Sequence, residues 1–134
     1  MSQNITMGIK ELVEKANDLV NNITVEEAKS ILDNKEYIFV DVRDYRELIR
    51  EGKIPGAISC PRGMLEFWID PKSPYHKKIF DQNKTYVFYC ASAWRSALAT
   101  KSALEMGLNP VCHIKGGYNE WIKNGGRVES IKKL

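Results

Sequence analysis

Tyr86-Val-Phe-Tyr-Cys90-Ala-Ser-Ala-Trp-Arg95-Ser96-Ala-Leu-Ala99 decides the fold class. An apolar run ends at a cysteine; small residues and a tryptophan follow, then an arginine and a helix-forming segment. The reading is a buried strand that delivers a thiol to a helix N-terminus. At such a point, unpaired backbone N–H groups and the positive end of the helix dipole both favour the thiolate. Taken by itself, Cys90 is equally a small buried hydrophobe at a strand end. The spacing Cys90-x4-Arg95-Ser96 at a strand–helix junction tips the reading toward chemistry.

Outward from this stretch the chain alternates between strand and helix signals. Tyr37 to Val42, Lys84 to Tyr89 and Val111 to Ile114 are apolar, β-rich runs, and Ala57 to Cys60 is a shorter one. Tyr45 to Glu51 suits a helix closed by Gly52, and the helix after Cys90 runs to Met106 with Gly107 as its stop. Tyr118 to Lys123 forms the last helix, between Gly116-Gly117 and Gly125-Gly126. Thr24-Val-Glu-Glu27 is a capping box opening a helix through Leu32. Tyr75 to Phe80 reads as a short helix, and Pro61 to Ser73 as irregular. Continuous apolar strands alternating with helices indicate a mainly parallel sheet covered on both faces.

Ahead of this pattern, Ile9, Leu12, Val13, Ala16, Leu19 and Val20 recur at helical spacing with charges between them. Residues 1–21 therefore form an amphipathic helical extension that packs on the domain or on a partner, and Asn21-Asn22 ends its helix. The domain proper occupies residues 22–128.

Composition bounds the function. The chain has 134 residues, 43% hydrophobic and 28% charged, which makes one globular domain. A formal net charge of +3, spread along the chain, argues against nucleic acid and suits a small anionic substrate. Three cysteines without CxxC spacing indicate neither a disulfide framework nor a zinc site, so no metal and no cofactor are expected. A reducing, cytoplasmic location follows as the default. No signal peptide and no membrane span are read.

At the loop itself, Ala91, Ser92 and Ala93 are small enough for the backbone to curl and aim several amides at one point, a nest for an anion. The Arg95 guanidinium holds backbone carbonyls, a carboxylate elsewhere, or the substrate. Further motifs stand in order along the chain: Val40-Asp41-Val42-Arg43, Tyr45-Arg-Glu47, Gly52-Lys-Ile-Pro55-Gly-Ala57, Pro61, then Cys90-x4-Arg95-Ser96, Gly116-Gly117-Tyr118 and Trp121. In this order and spacing the chain resembles the rhodanese family of sulfurtransferases over roughly residues 22–126.

The resemblance implies a three-layer α/β/α rhodanese-like domain around a central, mainly parallel five-stranded sheet. It also implies an activity. The Cys90 thiolate takes the outer sulfur of a donor such as thiosulfate, becomes a persulfide, and passes that sulfur to cyanide or a thiol. The loop amides of Ala91, Ser92, Ala93, Trp94, Arg95 and Ser96 cradle it. The partners implied are a small anionic sulfur donor and a thiol, cyanide or protein acceptor. One alternative is a sulfur-carrier or interaction module that relays persulfide sulfur between proteins. Another is a phosphatase or arsenate reductase, although those relatives enclose five residues between cysteine and arginine where this loop encloses four.

The chain also departs from the family pattern. Alanine stands at position 93, where family loops often carry glycine, so a loop of slightly different shape is expected. Arg95 is the only charge in the loop, which leaves a less charged donor, or a persulfide on a protein, open beside thiosulfate. The family's common histidine before Ile-Pro-Gly is Lys53 here, expected as a surface change.

Among other residues, Asp41 and Arg43 read as polar support near the site or, more simply, as a buried ion pair, and Glu47 reads as structural. Arg62 is a candidate for the cleft. Phe67 and Trp68 line its mouth or pack in the core, and Trp94 forms a rim for substrate or partner. Cys60 and Cys112 are read as inert packing. His76 and His113 have no metal-spaced partners, and neither is assigned a role as a base.

Overall fold

The computed structural model describes residues 2–132. Five strands, β1 (Asn21–Ile23), β2 (Tyr37–Asp41), β3 (Ile58–Ser59), β4 (Thr85–Tyr89) and β5 (Val111–Ile114), form one sheet in the order β1-β5-β4-β2-β3. Every pairing is parallel. The helices are α1 (Ile9–Leu19), α2 (Val25–Ile31), α3 (Tyr45–Glu51), α4 (Leu65–Ile69), α5 (Trp94–Glu105) and α6 (Gly117–Lys123).

Alternation along the strands sorts the side chains into two cores. Ile38, Val40, Tyr86, Phe88 and Val111 face α4 and α5. Phe39, Val87, Tyr89, Cys112 and Ile114 face α2 and α6. Small residues on α5, namely Ala97, Ala99 and Ala103, bring that helix close to its neighbours. The central strand β4 is buried on both faces and ends at the cysteine, which fixes where the loop emerges.

Four local expectations need correction. Asn21-Asn22 does not merely stop a helix: with Ile23 it forms the edge strand β1, paired to β5 in the register Asn21 to Cys112 and Asn22 to His113. Residues 62–69, expected as irregular, form a 3-10 turn (Arg62–Met64) running into α4, because Leu65 and Ile69 find a core under α5. Tyr75 to Phe80 contributes only a 3-10 turn at Lys78–Phe80. Lys53 is not at the surface. It is buried, its Nζ donates to the Ala57 carbonyl at 2.6 Å and lies 3.6 Å from the Glu129 carboxylate, and its backbone bridges to Glu129.

Within the expected extension of residues 1–21 the helix α1 occupies Ile9–Leu19, and it packs on the flank of α5. Val13 and Ala16 meet Ala97 and Leu98, while Ile9, Leu12 and Leu19 remain exposed. Together α1 and β1 join the N-terminal segment to both a helix layer and the sheet. No helix of the described residues is long and apolar enough to cross a membrane.

Candidate active site

Cys90 follows β4 directly, and α5 begins at Trp94 after three intervening residues. Its residue is 1% exposed, so the sulfur lies at the floor of the loop. The backbone N–H of Ser96, in the first turn of α5, donates to Cys90 Sγ at 3.3 Å, and the Ser96 hydroxyl lies 3.6 Å from the same sulfur. The other two thiols are placed differently. Burial pushes Cys60 up to about 12 and Cys112 up to about 11, and Cys112 lies in the opposite core from Cys90. Among the described residues, Cys90 is the cysteine whose sulfur receives a backbone N–H.

The N-terminus of α6 orients the loop. Tyr118 N–H donates to the Cys90 carbonyl at 2.7 Å, and Asn119 N–H donates to the Ala91 carbonyl at 3.0 Å. In a trans peptide the C=O and N–H point opposite ways. Turning those two carbonyls toward α6 therefore turns the N–H groups of Ala91 and Ser92 away from it. Gly117 makes this approach possible: a Cβ there would stand 2.6 Å from the Cys90 carbonyl oxygen and 2.7 Å from that of Ala91.

Ala93 carries the loop into the helix with φ of 75° and ψ of 4°, a left-handed conformation that costs alanine about 1 kcal/mol. It is the one non-glycine residue with positive φ among the described residues. The alanine thus adopts the backbone conformation that a glycine would take without strain. Trp94, the first residue of α5, stands 47% exposed on the rim.

Arg95 is closed on a carboxylate. Its Nη1 donates to Glu47 Oε2 at 2.7 Å and its Nη2 donates to Glu47 Oε1 at 3.1 Å. Glu47 also accepts the Asp44 N–H at 3.0 Å as the reciprocal half of the α3 capping box. The Arg95 guanidinium holds the Glu47 carboxyl below its ordinary range, and Glu47 in turn holds Arg95 above its own.

A second polar chain leads away from the sulfur on the other side. The Ser96 hydroxyl lies 2.9 Å from His113 Nδ1, and His113 Nε2 lies 2.9 Å from Asn17 Oδ1 on α1. His113 is buried, and that burial pushes its imidazole down to about 4. A groove of about 410 Å³ runs beside the loop, lined by Asn17, Asn22, His113, Lys115, Ser92 and Trp94, among others.

Asp41 and Arg43 form a fully buried pair at the adjoining end of β2. Arg43 Nη2 donates to Asp41 Oδ2 at 2.7 Å and to the Gly52 carbonyl at 2.8 Å. The Arg43 guanidinium also sits 4.1 Å over the Tyr118 ring. This pair braces the end of the sheet.

Three expected cleft residues are engaged elsewhere. Arg62 donates to both oxygens of Glu66 at 3.0 Å and to Ser102 Oγ at 3.2 Å. Ser102 lies about 9 Å along the helix from Ser96. Phe67 is exposed against Tyr75, and Trp68 packs on the core with Lys77 over its ring. Glu47, His113 and Asn17 meet the loop instead. His113 had a legible signal in its alternation along β5, which points it to the α5 side; Asn17 had only its place one turn beyond Val13.

A parallel sheet whose central strand ends at a cysteine, met by a backbone N–H from the first turn of the following helix, with an arginine at the fifth position after it, is the arrangement of the α/β rhodanese fold. The rhodanese-like domain family model matches residues 24–124, and the chain belongs to that family of sulfurtransferases. Mouse thiosulfate sulfurtransferase/rhodanese-like domain-containing protein 3 (Mus musculus) is 32% identical over 105 residues, 75% of this chain and 67% of its own. The human single-domain sulfurtransferase TSTD1 superposes with a TM-score of 0.67 at 25% identity, over 80% of this chain and 99% of that one. A Rhodopseudomonas palustris protein of unknown function, RPA3614, described as a possible tyrosine phosphatase, superposes with a TM-score of 0.93. It is 51% identical, over 96% of this chain and 99% of its own.

Proposed function

We propose that the protein transfers sulfane sulfur through a persulfide on Cys90. The observation that carries this reading is the Ser96 N–H directed at Cys90 Sγ from the first turn of α5. The Cys90 thiolate attacks the outer sulfur of the donor; a new S–S bond forms, the old one breaks, and the electron pair leaves with the donor's remainder. An acceptor thiolate or cyanide then attacks the outer sulfur of the persulfide and releases the Cys90 thiolate. The N–H groups of residues 91–96 stabilise negative charge on sulfur at both stages.

The donor we infer is less charged than thiosulfate. Arg95 is the loop's only cation, and Glu47 neutralises it. What remains to meet a donor is a set of amide dipoles, which suits a monoanionic persulfide or polysulfide better than a dianion. A phosphatase reading, suggested by the description of the R. palustris relative, is disfavoured on the same grounds. Four residues separate Cys90 from Arg95, one fewer than in the related oxyanion enzymes, and the arginine is occupied.

Steady-state rates with thiosulfate, mercaptopyruvate and polysulfide, measured side by side, test this reading. The expected result is a higher kcat/KM for polysulfide than for thiosulfate, with both lost in Cys90→Ser. Hydrolysis of a phosphotyrosine peptide by the wild type, lost in the same variant, overturns it.

A further inference from the structure

His113 is the one buried imidazole next to the candidate site, and sulfur transfer as described above gives it nothing to do. Its surroundings are specific. Both ring nitrogens are engaged, Nδ1 with the Ser96 hydroxyl and Nε2 with Asn17 Oδ1, each at 2.9 Å. Ser96 is fully buried and touches Cys90 Sγ through both its N–H and its hydroxyl. Four side chains from α1, β5, α5 and the end of β4 therefore make one continuous chain: Asn17, His113, Ser96, Cys90.

The direction of each bond follows from the donors available. Asn17 Oδ1 has no proton to give, so Nε2 carries the ring hydrogen. A neutral ring protonated at Nε2 has a lone pair at Nδ1, which accepts the Ser96 hydroxyl proton. The Ser96 oxygen then presents its own lone pair to Cys90, and the thiol donates to it. Along this side-chain series each hydrogen, on Cys90 sulfur, Ser96 oxygen and His113 Nε2, points away from the sulfur, while the Ser96 N–H points at it and stabilises the anion left behind.

We propose that Asn17, His113 and Ser96 form a relay that takes the Cys90 thiol proton. In one step the S–H proton passes to Ser96 Oγ while the Ser96 hydroxyl proton passes to His113 Nδ1. The products are a thiolate and an imidazolium whose Nε2–H remains on Asn17. Two protons shift together for a net transfer of one from sulfur to imidazole; the S–H bonding pair stays on sulfur, and nothing is oxidised. Asn17 and His113 are positioning residues that act through Ser96. The charge separation reverses readily, because burial keeps the ring a weak base. The proton is thus held only while the sulfur is anionic and returns if no donor arrives.

The charges around the pair leave the relay room to act. Around His113, α1 contributes Val13 and Asn17, β1 contributes Asn22, β4 contributes Phe88, and α5 contributes Ser96. None of these is charged, and the charged residues of α1, Lys10, Glu11, Glu14, Lys15 and Asp18, are exposed. Lys115 lines the groove and is exposed. Near Cys90, Arg43 is closed on Asp41, and Arg95, paired with Glu47, still extends its positive charge to the Cys90 sulfur, so it favours the thiolate that the relay forms.

The relay also gives the N-terminal helix a function. The family model begins at residue 24, beyond both α1 and β1. The proposal rests on Cys90 as the sulfur-carrying nucleophile, so its test uses no sulfur donor. In the wild type, ¹⁵N NMR of the ring is expected to show the Nε2–H tautomer at neutral pH; an Nδ1–H tautomer overturns the relay. The alkylation rate of Cys90 by iodoacetamide is then followed across pH in Asn17→Ala and Asn17→Asp. Alanine is expected to move the pH–rate profile upward, slowing the neutral-pH rate on the order of tenfold. Aspartate, whose charge stabilises the imidazolium, is expected to move it downward. Both shifts are expected to vanish in a Ser96→Ala background.

A merely structural Asn17 moves both variants alike or moves neither, and that result overturns the proposal. If Asn17→Ala fails to fold, the Asn17→Asp profile and the wild-type tautomer still decide. Opposite shifts without sulfur transfer on any donor sink the sulfurtransferase reading and leave the relay standing.

Discussion

Arg95, in the first turn of α5, and Glu47, in the first turn of α3, form a two-pronged ion pair with N–O distances of 2.7 and 3.1 Å. The pair crosses from one helix to another and ties the loop to the cap of α3. Glu47→Gln keeps the shape and removes the charge. It is expected to lower stability by about 1 kcal/mol, since the pair is partly solvated. Arg95→Lys is expected to do the same, because an ammonium cannot make the two parallel bonds. Sulfur transfer is expected to fall in both. Urea melts and single-turnover rates check this; unchanged melts and rates show that the pair does not hold the loop.

Ala93 offers a gain in stability. Its φ of 75° is strained for alanine and free for glycine. Ala93→Gly is expected to stabilise the fold by up to about 0.5 kcal/mol, the strain relieved being partly offset by the extra flexibility of unfolded glycine. Ala93→Val is expected to destabilise it, since a β-branched residue fits this conformation worst. Denaturant midpoints for the three proteins give the order directly.

The buried pair Asp41–Arg43 supports the same end of the sheet. Asp41→Ala leaves the buried guanidinium with only the Gly52 carbonyl and a 3.8 Å contact to the Glu51 carboxylate, and is expected to cost about 3 kcal/mol. Replacing both partners, Asp41→Leu with Arg43→Met, is expected to cost less than the single change. Equal losses for the single and double variants contradict this account of the pair.

The histidine in β5 makes stability depend on pH. Its imidazole stands near 4 in the folded chain against an ordinary 6.5. Between those values the unfolded chain binds a proton that the folded chain does not, so stability rises with pH through the window. The contribution is complete above about 6.5 and is lost as the pH falls toward 4, roughly 3 kcal/mol in all. Chemical denaturation at several pH values, compared with His113→Gln, isolates it: the variant is expected to show a flatter slope between pH 4 and 6.5. Parallel slopes rule out a depressed imidazole.

How much of this was legible in the sequence differs by element. The capping box at Thr24 and Glu27, the closure of α3 at Gly52, and the passage from β4 through Cys90 into α5 are local signals, and the structure has them. The strand β1 was not legible, because Asn21-Asn22-Ile23 is short and polar and becomes a strand only by pairing with β5. The burial of Lys53 depends on Glu129, far along the chain. The chain from Cys90 to Asn17 draws on four elements that only the sheet order brings together. Alternation places His113 on the α5 face, but nothing local says that Ser96 and Asn17 wait on either side of it.

The central claim is that Cys90 carries sulfur. Intact-mass spectrometry with peptide mapping, after incubation with polysulfide or thiosulfate, tests it most directly. The account predicts one added sulfur atom on Cys90, removed by cyanide and absent from Cys90→Ser. Sulfur on Cys60 or Cys112 instead, or on no residue with any donor, contradicts it.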